Sequence, residues 1–571
     1  MEQRLNRQLL QTYWLVCATA LYVSTAFLYF VAPIFARFST TLLGSTPFPY
    51  DSVLNAGILE WDFQALFERQ LSVFNWTAGF PLNNTLAGTE NLLGWELFYA
   101  PSRAAGFSVA GSYNVVVLLS LVISGVGLAL LSRRLGASRV GATIAGFVFA
   151  FYPLHVDHLV QIQTMAVGWS PFAILGMEMT LREKTWKGPA LLACAFIMTA
   201  LCGLYYAVFL PGILLLYAAV SLHLSRYRLE RQTIVRIAGA AIITAVVLSP
   251  VLYPYYRFGA TYGGYKHTAA TLTKFSFPLS GLFRTPDWLA VWQHTPVATV
   301  AAQTGAFPGV VALTLLVVAV RRRECSRAEK SIVTLCITLA VITFVLALGP
   351  VLTLHTGKPF EPLAWLPLPG KIWLAFTAVR WPTRIILYTV LCLSLLLGIG
   401  ADRLRLHWPH KDVYVCVILL GLLWAELRPA TWYALQSMVV RDPIDMSDAY
   451  TFLAREHDRG GVVELPAKYA TGYATPYATR YVYGSAGHLR RVTAFHGSFL
   501  PPIVDSMRAA SFKLPDSAAR DFFASHGVTR LVVHKNFFPG DSGNALVRAF
   551  VAQRYRLLFD TQQSAVFALA R

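Results

Sequence analysis

Apolar stretches recur along the first 427 residues of the chain, and this pattern constrains its fold more than any other feature. A helix of about 20 predominantly apolar residues is long enough to cross a lipid bilayer. The chain is 56% hydrophobic and only 13% charged, whereas soluble domains carry roughly 25% charged residues. The sequence therefore predicts a mainly α-helical, polytopic membrane bundle of about eleven spans. The predicted spans are residues 13–36, 112–132, 140–154, 163–181, 188–202, 204–222, 234–256, 304–320, 331–354, 384–401 and 411–427.

The connections between the predicted spans alternate in charge. Cytoplasmic loops of membrane proteins are enriched in Lys and Arg, and a cytoplasmic N-terminus makes every inner loop basic. These inner loops are SRRLGASR, LREKTWK, SRYRLERQTIVR, RRRECSRAEK and DRLRLHWPHK. We therefore expect a multi-pass protein of the cytoplasmic (inner) membrane with an extracytoplasmic, periplasmic C-terminal part. The basic loops also account for most of the net charge of +19, so that charge does not indicate a nucleic-acid partner.

Two further patterns exclude other classes of protein. The first apolar stretch has no small-residue cleavage site close behind it, so it predicts a retained spanning helix and not a signal peptide. The seven cysteines form no CxxC or CxxH pair, which argues against a thiolate zinc site. Residues 430–571 contain no cysteine, which argues against a disulfide-built extracellular module.

From about residue 430 the sequence changes from apolar runs to alternating helix and strand signals. A capped helix, a glycine turn and a strand are predicted by MSDAYTFLAREHDRGGVVELP, and the same order by LPDSAARDFFASHGVTRLVVH. A third helix and a terminal hairpin follow. We therefore expect a transmembrane domain over residues 1–429 and a small extracytoplasmic α/β domain over residues 430–571. The Tyr-, Gly- and Pro-rich stretch 469–502 predicts an irregular surface loop.

Acidic residues concentrate in the long first outer loop, residues 37–111. This loop contains Asp51, and six of the chain's 29 acidic residues lie between positions 51 and 96. Within it, GILEWDFQALFERQLSVF has apolar residues at helical spacing and charges on the other face, which predicts an amphipathic helix lying in the membrane interface. Asp51 could accept a proton from a hydroxyl, bind a divalent cation beside a phosphate, or cap the following helix. Glu68 and Glu96 are expected on the solvated face.

Two groups of polar residues lie at the predicted outer ends of other spans. His155 and His158 are one helical turn apart in FYPLHVDHLVQIQ, and their imidazoles could bind a phosphate or a metal, or lie in the interface. Arg380 and Arg384 stand in AVRWPTRIILY, where the orientation rule does not favour cations. Guanidinium suits phosphate and pyrophosphate, and the alternative is an arginine that reaches the lipid headgroups. Arg257 lies in an outer loop whose Tyr and Trp residues suit sugar stacking.

The order of several motifs resembles a known family. TLAGTENLLG, FAFYPLHVDHLVQIQ, GLYYAVF, GAFPGVVAL, RWPTRIILYTVLCLSLLLGIGADRL and YGSAGHLRRVTAFHGSFLPP follow one another along nearly the whole chain. This order resembles the bacterial polytopic membrane glycosyltransferases of GT-C fold, including YfhO-like membrane proteins. The resemblance implies an inverting transfer of a sugar from a polyprenyl-phosphate or polyprenyl-pyrophosphate donor. The acceptor would be an extracytoplasmic glycan or lipid, and membrane lipids would surround the protein.

The resemblance also implies roles for particular residues. Asp51 is the matching catalytic base. The candidates for a second acid are Glu90, Asp62 and Glu60. The candidates for binding the donor phosphate are Arg380, His155, His158, Arg384 and Arg257. The candidates for contacting the acceptor sugar are Gln161, Tyr483, His488 and His496. An Asp-x-Asp pair is absent, and EWD stands in its place. The cofactor is therefore left open: the sequence does not demand a divalent cation such as Mg²⁺ or Mn²⁺, and Asp51 is its ligand if one binds.

Two other functions remain open at this point. A transporter or lipid-carrier flippase needs ionisable groups at the middle of the membrane, and the predicted spans contain almost none. A non-catalytic cell-envelope assembly protein could retain a GT-C scaffold without its activity, because fold does not determine function.

Overall fold

The computed structural model describes residues 2–44, 49–225, 229–299, 304–321, 326–355, 357–360, 369–376, 378–406, 411–435, 437–467 and 476–569. Helices make up most of this part of the chain. The α-helices are Glu2–Ala26, Pro49–Phe63, Glu96–Ala104, Val109–Arg134, Arg139–Phe151, Pro153–Val156, Ser170–Arg182, Lys187–Cys202, Leu204–Ser225, Arg231–Tyr262, Ala269–Lys274, Val310–Val320, Arg327–Ala347, Ile386–Arg405, Asp412–Leu427, Thr431–Leu435, Asp448–Arg455, Pro476–His488, Pro502–Ser511, Ser517–Ser525 and Ser542–Ala552.

Shorter helical turns and strands complete the fold. The 3₁₀ and π segments are Phe27–Val31, Ala32–Arg37, Gln64–Glu68, Thr85–Gly88, Leu93–Trp95, Ile162–Trp169, Leu279–Phe283, Pro369–Leu374, Pro382–Ile385, Pro443–Met446 and Lys535–Phe537. The strands are Thr41–Leu42, Thr285–Pro286, Ala298–Thr299, Thr353–His355, Lys358–Pro359, Met438–Val439, Gly461–Leu465, Val528–His534, Arg556–Asp560 and Ser564–Ala568.

Six helical segments in the described part of the chain are long and apolar enough to cross a membrane. They are Thr12–Arg37, Val109–Arg134, Leu204–Ser225, Arg231–Tyr262, Arg327–Ala347 and Pro382–Arg405. The structure thus has the apolar helices of a membrane protein. The other predicted spans are shorter helices, among them Arg139–Phe151 and Lys187–Cys202. The count of about eleven crossings and the orientation in the membrane stay predictions.

The bundle has a buried centre and an apolar outer surface. The most apolar window of Pro382–Arg405 is 89% buried, whereas that of Arg231–Tyr262 is only 22% buried. Two glycines let the central helix approach its neighbour closely, since a Cβ at Gly398 would lie 2.5 Å from the Gly141 carbonyl oxygen. Such small-residue crossings are typical of membrane helices. The exposed apolar face of Arg231–Tyr262 suits contact with lipid.

The helix Pro49–Phe63, which contains Asp51, is buried inside the protein. Its residues from position 52 onward are covered, including Glu60 at 3% and Asp62 at 0% exposure. The cover is the helix Pro476–His488, which packs against it so closely that a Cβ at Gly57 would lie 3.1 Å from the Tyr483 Cα. The prediction of an amphipathic helix in the membrane interface is therefore wrong for this segment. Its charged face contacts protein and not headgroups.

The same contact corrects the prediction for residues 469–502. Within this stretch the described residues begin at 476. Residues 476–488 form the buried helix Pro476–His488 and not an irregular surface loop, whereas residues 489–501 are largely irregular, as predicted. Proline suits the first turn of a helix, where its missing N–H needs no partner. Part of the predicted loop, residues 469–475, lies outside the described residues.

A four-stranded sheet forms the last part of the chain. Its order is Gly461–Leu465, Val528–His534, Ser564–Ala568 and Arg556–Asp560. The first two strands are parallel and the other neighbours are antiparallel. Apolar side chains from Ser517–Ser525 and Ser542–Ala552 pack on one face of the sheet. Whether these elements are a separate extracytoplasmic domain that starts at residue 430 stays a prediction.

Candidate active site

Asp51 lies in the first turn of the helix Pro49–Phe63, at the edge of the bundle. The backbone that leads to it is held in place, because the Ser52 hydroxyl donates to the Gly44 carbonyl at 2.9 Å. Gly44 has a φ of +102°, and a Cβ there would lie 2.8 Å from the Val160 Cα. Only glycine tolerates this combination of conformation and close approach. The start of the Asp51 helix is therefore fixed against the segment that carries Gln161.

A chain of two hydrogen bonds joins Asp51 to Arg384. Gln161 Nε2 donates to Asp51 Oδ2 at 2.7 Å, and Arg384 Nη2 donates to Gln161 Oε1 at 2.8 Å. A guanidinium can only donate and a carboxylate can only accept, so the amide between them has one possible orientation. Sequence analysis placed Gln161 against the acceptor sugar. In the structure its amide bridges a candidate base to a candidate phosphate ligand.

His496 approaches the other oxygen of the Asp51 carboxylate. Its Nε2 lies 3.8 Å from Asp51 Oδ1, which is longer than a hydrogen bond. Burial lowers the pKa of His496, Asp51 raises it and the nearby Arg380 guanidinium lowers it. The net shift is downward, so the imidazole is neutral near pH 7. Asp51 therefore faces a neutral imidazole on one side and an amide N–H on the other.

The loop that carries His496 is held by backbone hydrogen bonds to the first outer segment. The Val492 N–H donates to the Thr77 carbonyl at 2.7 Å, and the Gly79 N–H donates to the Ala494 carbonyl at 2.9 Å. These contacts place a side chain from the C-terminal part of the chain beside Asp51. The site thus depends on both parts of the protein.

Two arginines with aromatic partners lie at the start of the helical segment Pro382–Arg405. Arg384 is 3% exposed, and its guanidinium carbon lies 4.4 Å from the centre of the Tyr205 ring. Arg380 is half-buried, and its guanidinium lies 5.7 Å from the Phe275 ring. The Arg380 backbone N–H donates to the Tyr205 hydroxyl at 3.2 Å. Because a helix N-terminus also carries partial positive charge, this corner is strongly positive.

Glu90 lies near enough to the Arg384 guanidinium to feel its charge. It is 8% exposed and accepts the Leu204 backbone N–H at 2.8 Å. Burial raises its pKa, whereas the Leu204 hydrogen bond and the Arg384 charge lower it, with a net rise. Glu90 therefore holds the turn that presents Tyr205 to the arginines. The structure places it near the site but against the backbone.

His155 and His158 are buried and turned toward their own backbone. The Nδ1 atom of His155 lies 2.7 Å from the Phe149 carbonyl oxygen, and that of His158 lies 2.6 Å from the Leu154 carbonyl oxygen. Burial lowers the pKa of His155 to about 4 and that of His158 to about 3. Both rings are therefore neutral near pH 7, and neither offers the positive charge with which we expected it to bind a phosphate.

Glu60 and Asp62 belong to a separate buried cluster. Arg103 pairs with Glu60 at 2.8 Å, and the Tyr99 hydroxyl donates to the same carboxylate at 2.7 Å. Asp62 and Glu96 have no hydrogen-bond partner among the described residues, and burial raises the pKa of both. Glu96 is 5% exposed, so the expectation that it lies on a solvated face is wrong. Glu68 is exposed.

Three other predicted contacts lie away from Asp51. Arg257 is exposed, and its Nη1 lies 3.5 Å from the hydroxyl of Tyr253 one turn earlier. The Tyr483 hydroxyl donates to a backbone carbonyl at 2.9 Å. His488 is buried, and its Nδ1 accepts the Arg490 N–H at 3.1 Å. Burial, reinforced by nearby Arg490, lowers the pKa of His488 to about 3. Tyr483 and His488 therefore bind the protein's own backbone.

The donors around Asp51 do not fit a divalent cation. Among the described residues, no group of three or more His, Cys, Asp or Glu side chains could hold a metal ion. Asp51 Oδ2 is occupied by an amide N–H, and the next charged group along that path is the Arg384 guanidinium. Mg²⁺ and Mn²⁺ favour clustered oxygen ligands.

Tyr205 is the main residue of the site that sequence analysis missed. It contacts both arginines, through its ring to Arg384 and through its hydroxyl to the Arg380 backbone. A signal was present, because GLYYAVF places two adjacent tyrosines, Tyr205 and Tyr206, directly after a Gly-Leu turn between two apolar helices. Nothing in the sequence indicated that this turn packs against a segment about 175 residues later.

Comparison with known proteins gave one family and two solved structures. The family model described as a domain of unknown function, DUF6311, matches residues 102–428. No curated protein matches the chain. Two structures of the Archaeoglobus fulgidus oligosaccharyltransferase AglB are similar to it. One is the complex with an inhibitory peptide and a dolichol-phosphate, with 11% identity and a TM-score of 0.49. The other is the apo form, with 12% identity and the same TM-score.

In both cases the alignment covers 98% of this chain and 75% of the other. Likeness at this level carries no argument about activity. The resemblance to YfhO-like proteins stays a prediction.

Proposed function

The chain belongs to the family described as a domain of unknown function, DUF6311, and from its own site we propose that it is a membrane glycosyltransferase. The donor is a sugar linked to polyprenyl phosphate or pyrophosphate, and the acceptor is an extracytoplasmic glycan or lipid. One observation carries the proposal: the hydrogen-bonded chain from Asp51 through Gln161 to Arg384. It couples a carboxylate that can take a proton to a cation that can bind a phosphate.

Asp51 is the proposed general base. Gln161 occupies Oδ2, whereas Oδ1 faces His496 Nε2 at 3.8 Å, beyond hydrogen-bond distance, and is the oxygen proposed to receive the proton of an acceptor hydroxyl. As the acceptor oxygen bonds to the anomeric carbon, the bond from that carbon to the lipid phosphate oxygen breaks. The phosphate leaves with the electron pair, and the proton stays on Asp51. A single displacement of this kind inverts the anomeric centre, and a positioned base accelerates it by about 10²- to 10⁴-fold.

Arg384 and Arg380 are the proposed ligands of the leaving phosphate. Arg384 uses Nη2 to hold Gln161, and its Nε has no hydrogen-bond partner among the described residues although it is buried. A buried donor without a partner costs about 1–3 kcal/mol, and a phosphate oxygen would satisfy it. Arg380 adds a second positive charge at the same helix start. The negative charge that develops on the departing phosphate therefore meets preorganised cations.

The remaining elements suit a lipid-linked donor. Apolar helices such as Arg231–Tyr262 expose large hydrophobic side chains, so the polyprenyl chain can stay in the bilayer. The arginines lie at the end of an apolar helix and not at its middle. The phosphate of a lipid-linked donor would stand at that end. Membrane lipids and the lipid-linked sugar are the proposed small-molecule partners.

We expect Asp51→Asn to abolish sugar transfer and leave the protein folded. The assay uses the purified protein in liposomes with a lipid extract that contains polyprenyl-linked sugars, and it measures released polyprenyl phosphate. Glu68→Gln is the matched control, because Glu68 is an exposed acid of the same segment. A variant Asp51→Asn with wild-type release would exclude Asp51 as the base.

The same liposomes separate the proposal from its alternatives. Movement of the intact lipid-linked sugar across the membrane, without phosphate release, would identify a transporter. If the liposomes show no phosphate release and no movement of the lipid-linked sugar, with any lipid extract that supports glycan assembly in cells, the result favours a non-catalytic assembly protein.

A further inference from the structure

An open cavity lies among four helix ends of the bundle. Its volume is about 600 Å³, within the range of small-molecule sites. The wall comes from the ends of Val109–Arg134, Ser170–Arg182 and Leu204–Ser225 and from the first turns of Arg327–Ala347. Three of these four helices are long and apolar enough to cross a membrane, so the cavity lies where such helices leave the apolar layer.

The cavity is far from the arginines of the candidate active site. The segment Pro382–Arg405 begins beside Arg384, and near its other end Arg403 Nε donates to Glu329 Oε1 at 2.8 Å. Glu329 lies in the first turn of Arg327–Ala347. At about 1.5 Å per helical residue, Arg384 and the start of Arg327–Ala347 are roughly 30 Å apart. The two groups of cations therefore cannot bind one phosphate together.

A hydrogen-bonded group of side chains holds one arginine at the base of the cavity. Arg182 donates through Nε to Glu178 Oε1 at 3.2 Å and through Nη2 to Ser221 Oγ at 2.9 Å. The Tyr217 hydroxyl donates to the other oxygen of Glu178 at 2.9 Å. Glu178 is the one acid in the described wall, which also contains Arg134 and Arg327. The wall therefore has an excess of positive charge.

The other two arginines of the wall are open to solvent. Arg134 pairs with Glu183 at 2.7 Å, and 32% of its side chain is exposed. Arg327 is exposed, and among the described residues no acid pairs with it. An anion can therefore reach both guanidinium groups from outside, and it would supply the negative charge that Arg327 lacks.

Apolar side chains complete the wall between the arginines. Leu135, Leu224 and Ile332 are half-buried and line the cavity. Basic pockets between membrane-spanning helices are suited to phospholipid headgroups. Guanidinium groups suit the phosphate, and the leucine and isoleucine side chains suit the hydrocarbon attached to it.

We propose that this cavity binds a phosphate-bearing anion through Arg134 and Arg327, and that the anion is the headgroup of a phospholipid with net negative charge. Ser225 and Arg327 belong to two of the predicted basic inner loops, so the lipid belongs to the cytoplasmic leaflet. The proposal does not depend on the proposed function, because none of the cavity residues belongs to the Asp51 site. No bond forms or breaks in the cavity.

Arg327→Gln tests the proposal at an exposed position. The assay is the melting temperature of the purified full-length protein in neutral detergent micelles as dioleoylphosphatidylglycerol is added, with dioleoylphosphatidylcholine as the reference. A ligand of the folded state raises the melting temperature. Phosphatidylglycerol should raise it more than phosphatidylcholine does, and Arg327→Gln should weaken the apparent affinity about fivefold, the contribution of one arginine at a charged lipid surface. The double variant Arg134→Gln/Arg327→Gln should weaken it roughly 25-fold.

Arg139→Gln is the matched control. Like Arg327, Arg139 is exposed and is the first residue of a helix that follows a serine N-cap. The Ser138 N–H donates to Asp402 at 2.7 Å, so Arg139 lies at the same end of the bundle, but it does not line the cavity. Arg139→Gln should bind phosphatidylglycerol as the wild type does.

Glycerol 1-phosphate, which has a phosphate group and no acyl chains, separates a lipid from a soluble ligand. A stabilisation by phosphatidylglycerol that Arg327→Gln weakens supports the lipid headgroup. A stabilisation by glycerol 1-phosphate alone, weakened by Arg327→Gln, would identify a soluble phosphate compound and overturn the lipid assignment. Equal affinity for phosphatidylglycerol in the wild type and the double variant, or equal stabilisation of the wild type by the two lipids without an effect of glycerol 1-phosphate, would overturn the whole proposal.

Discussion

Arg384→Lys separates a phosphate ligand from a structural cation. Arg384 is 3% exposed, donates to Gln161 Oε1 at 2.8 Å and stacks 4.4 Å from the Tyr205 ring centre. Because the side chain is buried, it does not extend from the protein surface to the surrounding lipid headgroups. Lysine keeps the positive charge but loses the planar fork, so it cannot hold Gln161 and a phosphate oxygen at once.

The structure sets the size of the expected loss. A hydrogen bond to a charged group contributes about 1.5–3 kcal/mol, and 1.36 kcal/mol corresponds to tenfold in rate. Loss of one phosphate contact therefore lowers kcat/KM for the lipid-linked donor by roughly 10- to 150-fold. If the lysine contacts the phosphate instead, Gln161 loses its donor and Asp51 is held less firmly. The loss then appears in kcat and not in KM, and its size is similar.

The assay is donor dependence of polyprenyl phosphate release in liposomes. Arg380→Lys is the comparison, because Arg380 stands at the same helix start but is only half-buried, whereas Arg384 is 3% exposed, and we expect a smaller loss there. Arg548→Lys is the control, since Arg548 is exposed and paired with Asp541 on the C-terminal part. Wild-type kcat/KM in folded Arg384→Lys would refute the reasoning and reduce the chain of hydrogen bonds to a structural contact.

Two further predictions concern stability. Arg103→Ala leaves Glu60, whose side chain is 4% exposed, as a buried charge without its cation. The free energy of unfolding, measured by chemical denaturation, should fall by about 3–5 kcal/mol. A fall below about 1 kcal/mol would show that water replaces the arginine. The lowered pKa of His155 and His158, about 4 and about 3, means that the unfolded chain binds more protons below pH ~6.5. Stability should therefore fall on acidification, by about 2 kcal/mol for each histidine at pH 5, and a flat melting temperature between pH 7 and pH 5 would contradict the neutral buried rings.

Local signals in the sequence predicted the long apolar helices and several of the C-terminal helices and strands. Apolar runs of about 20 residues coincide with long helices such as Val109–Arg134 and Arg327–Ala347. Helix and turn signals gave Ser517–Ser525 and the strand Val528–His534, with Gly527 between them at a φ of +81°. These elements depend on neighbours within a few residues, so the sequence contains the information directly.

Long-range packing could not be predicted in the same way. The sequence predicted four residues of the site separately: Asp51, Gln161, Arg384 and His496. Their proximity was not predictable, because Asp51 and Gln161 are 110 residues apart and Gln161 and Arg384 are 223 residues apart. The same limit explains the error over the helix Pro49–Phe63. Its charged face predicts contact with water, and a helix more than 400 residues later covers it. Periodicity shows which face is polar, but it does not show what meets that face.

The six acids of the first outer segment now divide by environment, and this division supports the choice of Asp51. Arg103 neutralises Glu60, and Glu90 holds the turn at Leu204. The four remaining acids of the segment are Asp51, Asp62, Glu68 and Glu96. Burial without a hydrogen-bond partner raises the pKa of Asp62 and Glu96 and favours their protonated forms, which cannot accept a proton. Glu68 is exposed beyond the end of the helix.

Asp51 has a side chain that is 19% exposed, so a substrate can reach it. One of its oxygens is held by Gln161 at 2.7 Å, and the other faces His496. A general base needs access, a fixed orientation and a path to the leaving group. Among these six acids, Asp51 alone combines the three, because the same amide that orients it is held by the arginine proposed to bind the phosphate.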